Sequence, residues 1–186
     1  MKSPMITLAA ALLAAGSFYL LAAEEHHEKR SYAAATAKTA TPDSSPEAAF
    51  YRNECGACHM AYPPALLPKR SWQKVMTGLE AHFGTDATLE PADNRTIAAY
   101  LETNAADVRP QGRHMAKIAA SLASDAPMQM THSSYFVREH RKIPARAVAQ
   151  PEVKSLANCN ACHTKAETGS FREREINIPN YGCWDD

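Results

Sequence analysis

One pattern of reactive side chains occurs twice in the chain: Cys55-Gly-Ala-Cys58-His59 and Cys159-Asn-Ala-Cys162-His163. Both read CxxCH, the signature for covalent attachment of a c-type haem. On a helical turn, positions i, i+3 and i+4 share a face. Both thiols can then bond the vinyl groups along one haem edge while the histidine reaches the iron. With five cysteines and eight histidines in 186 residues, chance would produce the pattern only about 0.006 times. Two copies therefore point to two haem c groups. Other uses of paired cysteines fit less well. A four-cysteine zinc site usually has its knuckles closer than the hundred or so residues separating these, and zinc leaves the histidine after each pair unexplained. Thioredoxin-like chemistry wants a CxxC after a strand in a βαβ pattern, and no strand signal precedes either motif. Cys183 is left without an intramolecular partner. It reads as an incidental thiol, with an intermolecular disulfide or a modification as alternatives.

What fills the second axial position of each iron decides between carrying electrons and binding a gas. The candidates are His82, His114, His132 and His140, with Met60, Met76, Met115, Met128 and Met130. Ser71 as N-cap and Gly84 as C′ residue predict a helix over 71–83. Its apolar stripe is Trp72, Val75, Met76, Leu79 and Phe83, and His82 lies on the edge of that stripe, facing inward. A helical reading of 131–143 groups Phe136, His140 and Ile143 opposite Arg138, Glu139 and Lys142. His132, near the start of that helix, is expected to be exposed. His114, in the run 111–122, sits outside the stripe of Met115, Ile118, Ala119 and Leu122. His82 and His140 are thus the inward-facing histidines.

The elements that must position these residues are helical and loosely connected. Lys2 followed by the uncharged stretch Met5–Ala23 reads as an export signal in residues 1–23, or an uncleaved N-terminal anchor. Export suits haem c, whose attachment takes place outside the cytoplasm, where a transient disulfide is permitted. Residues 24–47, rich in Ala, Thr, Ser and charge, read as a solvated linker, with His26 and His27 a solvated pair. Pro91 suits the first turn of a helix to about Thr103 with Ile97, Tyr100 and Leu101 inward, and Pro151 the first turn of a helix leading into the second motif. The segment Pro63–Pro68 reads as an extended loop packing on the first site. No strand alternation is evident. The fold expected is mainly α, with two haem units over 48–104 and 105–186, each too small to hold together without a cofactor. Much of the apolar content is alanine, and the haems would supply the missing core.

Several strings go beyond CxxCH: Asn53-Glu-Cys-Gly-Ala-Cys-His-Met-Ala-Tyr-Pro-Pro-Ala-Leu-Leu-Pro68, Leu79-Glu-Ala-His-Phe-Gly84, Val137-Arg-Glu-His-Arg141, Asn158-Cys-Asn-Ala-Cys-His163 and Ile176-Asn-Ile-Pro179. Together they resemble the bacterial dihaem cytochrome c family over most of the chain after about residue 47. The resemblance implies a periplasmic electron carrier with two bis-histidine haems. His59 and His82 would ligate the first iron, and His163 and His140 the second. It also implies a first unit similar to a class I cytochrome c and a more irregular second one. An oxygen-binding monohaem cytochrome c would be the electron acceptor and a membrane b-type cytochrome the donor. Cys183 and His132 depart from the family pattern.

Two imidazoles on each iron would close both centres to small-molecule substrates and suit outer-sphere transfer at potentials below those of Met/His centres. Twenty basic residues balance twenty acidic ones, which gives no case for nucleic-acid binding. Residues 105–150 nonetheless carry seven basic and three acidic residues. Arg138, Arg141, Lys142 and Arg146 cluster around His140, either as a docking rim for an acidic partner or as counter-charges to haem propionates. A dihaem peroxidase or a gas-binding haem protein would need His82 or His140 to leave its iron, and no separate acid/base constellation is apparent.

Overall fold

The structure is a computed structural model describing residues 43–109, 112–122 and 127–184, with the backbone alone for 112–114. The export-signal and linker assignments over 1–42, with His26 and His27, lie outside the described residues, as does the side chain of His114. The described residues are mainly helical: six α-helices, short 3₁₀ turns and one two-stranded hairpin.

Helix α1, Pro46–Cys55, begins where three signals coincide. Ser45 accepts a hydrogen bond from the Ala48 amide at 3.2 Å, Pro46 occupies the first turn, and Glu47 lies at the positive end of the helix dipole. Residues 43–47, read from sequence as the end of a linker, are thus the cap and first turn of the element that delivers Cys55. Helix α2 spans Lys69–Thr77 and helix α3 spans Pro91–Thr103. The latter has the expected limits, and its inward Ile97, Tyr100 and Leu101 are buried. Both α1 and α2 pack against α3, with Tyr51, Trp72, Val75, Met76 and Leu79 completing a first hydrophobic cluster.

The helix expected over 71–83 is shorter. It starts two residues earlier, so Ser71 is buried within it rather than capping it. It stops at Gly78, and a 3₁₀ turn, Leu79–Ala81, carries the chain to His82. Glycine costs a helix about 1 kcal/mol relative to alanine, and the helix ends against Gly78 rather than running on to Gly84. The proline-rich loop is not fully extended either: Pro64–Leu66 makes a 3₁₀ turn whose Pro64 carbonyl accepts from the Trp72 indole at 2.8 Å.

A second cluster joins Ala65 and Leu66 of that turn to Met115 and Ile118 of α4, Gly112–Ser121, and to Tyr135 of α5, Ser134–His140. Tyr62 and Met130 pack against both clusters. The short α6, Ala145–Val148, follows. No helix starts at Pro151. Gln150 instead closes a turn by accepting from the amides of Val153 and Lys154, and Lys154 takes a left-handed φ of 64° that ends helical continuation. The hairpin pairs β1, Asn177–Ile178, with β2, Gly182–Cys183, across a turn with Pro179 and a left-handed Asn180. Two-residue strands are too short to show alternation, which is why no strand was legible in the sequence.

Candidate functional site

At the first motif, α1 ends on Cys55 and the chain turns through Gly56 and Ala57 to Cys58 and His59. A Cβ at Gly56 would run into the Arg52 carbonyl oxygen, which accepts the Gly56 amide at 2.9 Å. That close approach explains the glycine inside the motif. His82 faces this site from the far end of the Leu79–Ala81 turn. Phe83 and Gly84 both have positive φ, 47° and 92°, and close a tight turn between the bridged residues His82 and Thr85. For phenylalanine that conformation costs on the order of 1 kcal/mol. It aims His82 back at His59, their ring centroids 6.2 Å apart and their planes 16° apart.

At the second motif, the amides of Cys162 and His163 both bond to the Cys159 carbonyl, at 3.2 and 2.8 Å. A single 3₁₀ turn, Cys159–Ala161, therefore brings both thiols and the histidine to one cavity without an α-helix. The tail is paired to this turn: the Thr164 amide bonds to the Glu175 carbonyl at 3.2 Å, and the Asn177 amide to the Cys162 carbonyl at 2.9 Å. His140, the last residue of α5, faces His163 at 6.1 Å between ring centroids, with planes 62° apart. A cavity of about 480 Å³ opens here, lined by His140, His163, Cys159, Cys162, Phe136 and Phe171 among others. His132 is exposed, as expected.

The donor sets can be tested against haem directly. A metal–imidazole bond of about 2.0–2.1 Å, with nitrogen about 1.1 Å from its ring centroid, places two trans imidazoles about 6.3 Å apart. Both observed separations match. Tautomers agree as well: His59 Nδ1 lies 2.8 Å from the Met60 carbonyl oxygen and His140 Nδ1 lies 2.9 Å from the Phe136 carbonyl oxygen. A carbonyl only accepts, so in each ring the proton sits on Nδ1 and the Nε2 lone pair is left for a metal. Burial, and then the neighbouring His59, lowers the His82 pKa and favours its neutral form. Burial also pushes the thiols of Cys55 and Cys159 up to about 11, keeping them protonated at neutral pH. Among the described residues, no three His, Cys, Asp or Glu side chains converge as they would for zinc.

An aromatic ring stands beside each of the four histidines, and of these Phe136 and Phe83 are expected from the sequence on the same face as, or next to, theirs. Phe136 stacks on His140 at 3.8 Å, Phe171 meets His163 at 5.3 Å, Phe83 meets His82 at 4.8 Å, and Tyr62 lies 5.2 Å from His59. Cys183 is exposed on β2.

Residues 51–171 match the family model described as dihaem cytochrome c. Among solved structures, the chain is similar to a dihaem cytochrome c from Shewanella baltica, at 39% identity and TM-score 0.62, covering 76% of this chain and 100% of that one. It is also similar to a dihaem cytochrome c from Rhodobacter sphaeroides, at 41% identity and TM-score 0.61, covering 71% of this chain and 100% of that one. A search of curated proteins gave no match.

Proposed function

Because the chain belongs to the dihaem cytochrome c family, whose members carry two covalently bound haem c groups and serve in electron transfer, we propose that it is an exported, periplasmic relay that passes single electrons between two closed centres. The observation carrying this reading is the pair of histidine couples at 6.2 and 6.1 Å, each beside its own CxxCH. Cys55 and Cys58 would hold the first haem and Cys159 and Cys162 the second, with His59 and His82 as ligands to the first iron and His163 and His140 to the second. Bound haem supplies reversible one-electron chemistry, at a potential set by its axial ligands.

The chain's own part is to hold four imidazoles still. The Met60 and Phe136 carbonyls fix the His59 and His140 tautomers, and an aromatic ring beside each histidine restricts its rotation. Imidazoles held this way would keep the surroundings of a bound haem fixed, which favours fast outer-sphere transfer and would leave no position for a substrate.

The donor and acceptor are redox proteins: a membrane b-type cytochrome supplies electrons and an oxygen-binding monohaem cytochrome c receives them. The basic residues near His140 suit docking better than propionate binding. Arg138, Arg141 and Lys142 line a surface hollow together with Glu139, which pairs with Arg138 at 2.9 Å, whereas the basic side chains in the wall of the large cavity, besides its histidines, are Lys117 and Arg172. The latter pair suits the haem carboxylates, and the former an acidic partner.

A carbon monoxide difference spectrum of the dithionite-reduced holoprotein tests the reading. The expected result is no spectral change, since both sixth positions are filled. Carbon monoxide binding at either haem would overturn it in favour of a peroxidase or gas-binding protein with one labile ligand.

A further inference from the structure

The two centres are far apart in sequence, yet one side chain reaches both. The Tyr62 ring lies 5.2 Å from that of His59, with the planes 31° apart. Its hydroxyl donates to the Ala157 carbonyl oxygen at 2.7 Å, two residues before Cys159. Its own carbonyl accepts from the Tyr51 hydroxyl at 2.8 Å, so α1 fixes the Tyr62 backbone as well. Pro63 and Pro64 follow immediately and restrict the chain on the other side. Both hydrophobic clusters pack against this residue. A phenylalanine would fill the same space; only tyrosine also reaches across to residue 157. Burial pushes the Tyr62 phenol up to about 12, so the donor is intact throughout the neutral range.

We propose that Tyr62 is a positioning residue that couples the two haem centres, its ring orienting His59 while its hydroxyl anchors the 155–158 segment that leads into the second attachment motif. The inference rests on the two-centre reading above and assigns the residue that sets the relation between the centres. The two tasks separate chemically. Tyr62→Phe removes the anchor and keeps the ring, and Tyr62→Leu removes both.

The test compares the holoprotein with these two variants. Three quantities are read: amide hydrogen exchange at Ala157 and Asn158, the electron paramagnetic resonance of the oxidised first centre, and electron exchange between centres in half-reduced protein by NMR. Losing one hydrogen bond of ordinary net strength should speed the two amides about fivefold in Tyr62→Phe. The first-centre resonance should stay unchanged in that variant, and inter-centre exchange should slow severalfold. Tyr62→Leu should in addition shift the first-centre resonance. Parental amide and electron exchange rates in Tyr62→Phe would overturn the anchoring role, and a parental resonance in Tyr62→Leu the orienting role. Should Tyr62→Leu fail to load haem, Tyr62→Phe alone decides the coupling. Failure of the wider reading would show instead in the parent protein, as carbon monoxide binding or a high-spin signal.

Discussion

Each of the four histidines leans on one aromatic ring, and no two share one. The partners stand three residues after His59, one after His82, four before His140 and eight after His163. Only the separation of four is a helical spacing, so only Phe136 could be placed beside its histidine from periodicity. The others depend on a proline loop, a left-handed phenylalanine and a chain of 3₁₀ turns, none of which leaves a periodic trace. The histidines expected to face inward are those the fold brings opposite the two motifs, but His82 faces His59 from the turn after Gly78, not from a continuous helical stripe. Ring orientation should also be visible spectroscopically. Near-parallel imidazoles act on the same iron d orbital and split the low-spin levels widely, whereas nearly crossed ones split them little. Electron paramagnetic resonance of the oxidised holoprotein should therefore show two low-spin species. The centre of His59 and His82, at 16°, should be the rhombic one. That of His140 and His163, at 62°, should have the larger maximal g-value. One uniform species would contradict these orientations.

The elements divide by how the sequence announces them. Helix α3 has a proline at its start and a clear apolar stripe, and its predicted limits hold. From Pro144 to Trp184, order comes mostly from turns and from backbone pairing between distant residues, signals carried by geometry rather than by residue type. The pairing has a checkable outcome. Glu175 and Asn177 supply backbone partners to Thr164 and Cys162, His163 bridges to Ile176, and Ile178 is buried. A chain cut after Ser170 should lose the second haem and keep the first, since α1 to α3, the buried members of their cluster and the Met130 packed against it all lie before the cut. The measurement is haem per chain by pyridine haemochrome, expected to fall from two to one. Retention of two would show that the tail is dispensable for the second site.

Across the whole molecule the net formal charge is zero, yet it is unevenly spread, with the excess of cations beside the second centre. Arg138, Arg141, Lys142 and Arg146 are exposed, and so is Val137, at 57%. An exposed apolar side chain in a stretch with an excess of cations suits brief docking of an acidic redox protein, with steering supplied by charge. Reduction of such an acceptor should slow about tenfold from low to high ionic strength, and the double substitution Arg141→Glu and Lys142→Glu should slow it at low salt by a similar factor. A rate indifferent to both changes would place docking elsewhere. The same unevenness extends to time. The helices and buried cluster of the first centre lie in residues 46–105, with Met130 packed against them, and the second motif pairs with backbone as far as Asn177. A chain that emerges N-terminus first would therefore present the helices of the first motif before the tail that closes the second, and haem loading is expected to follow the same order, first motif before second.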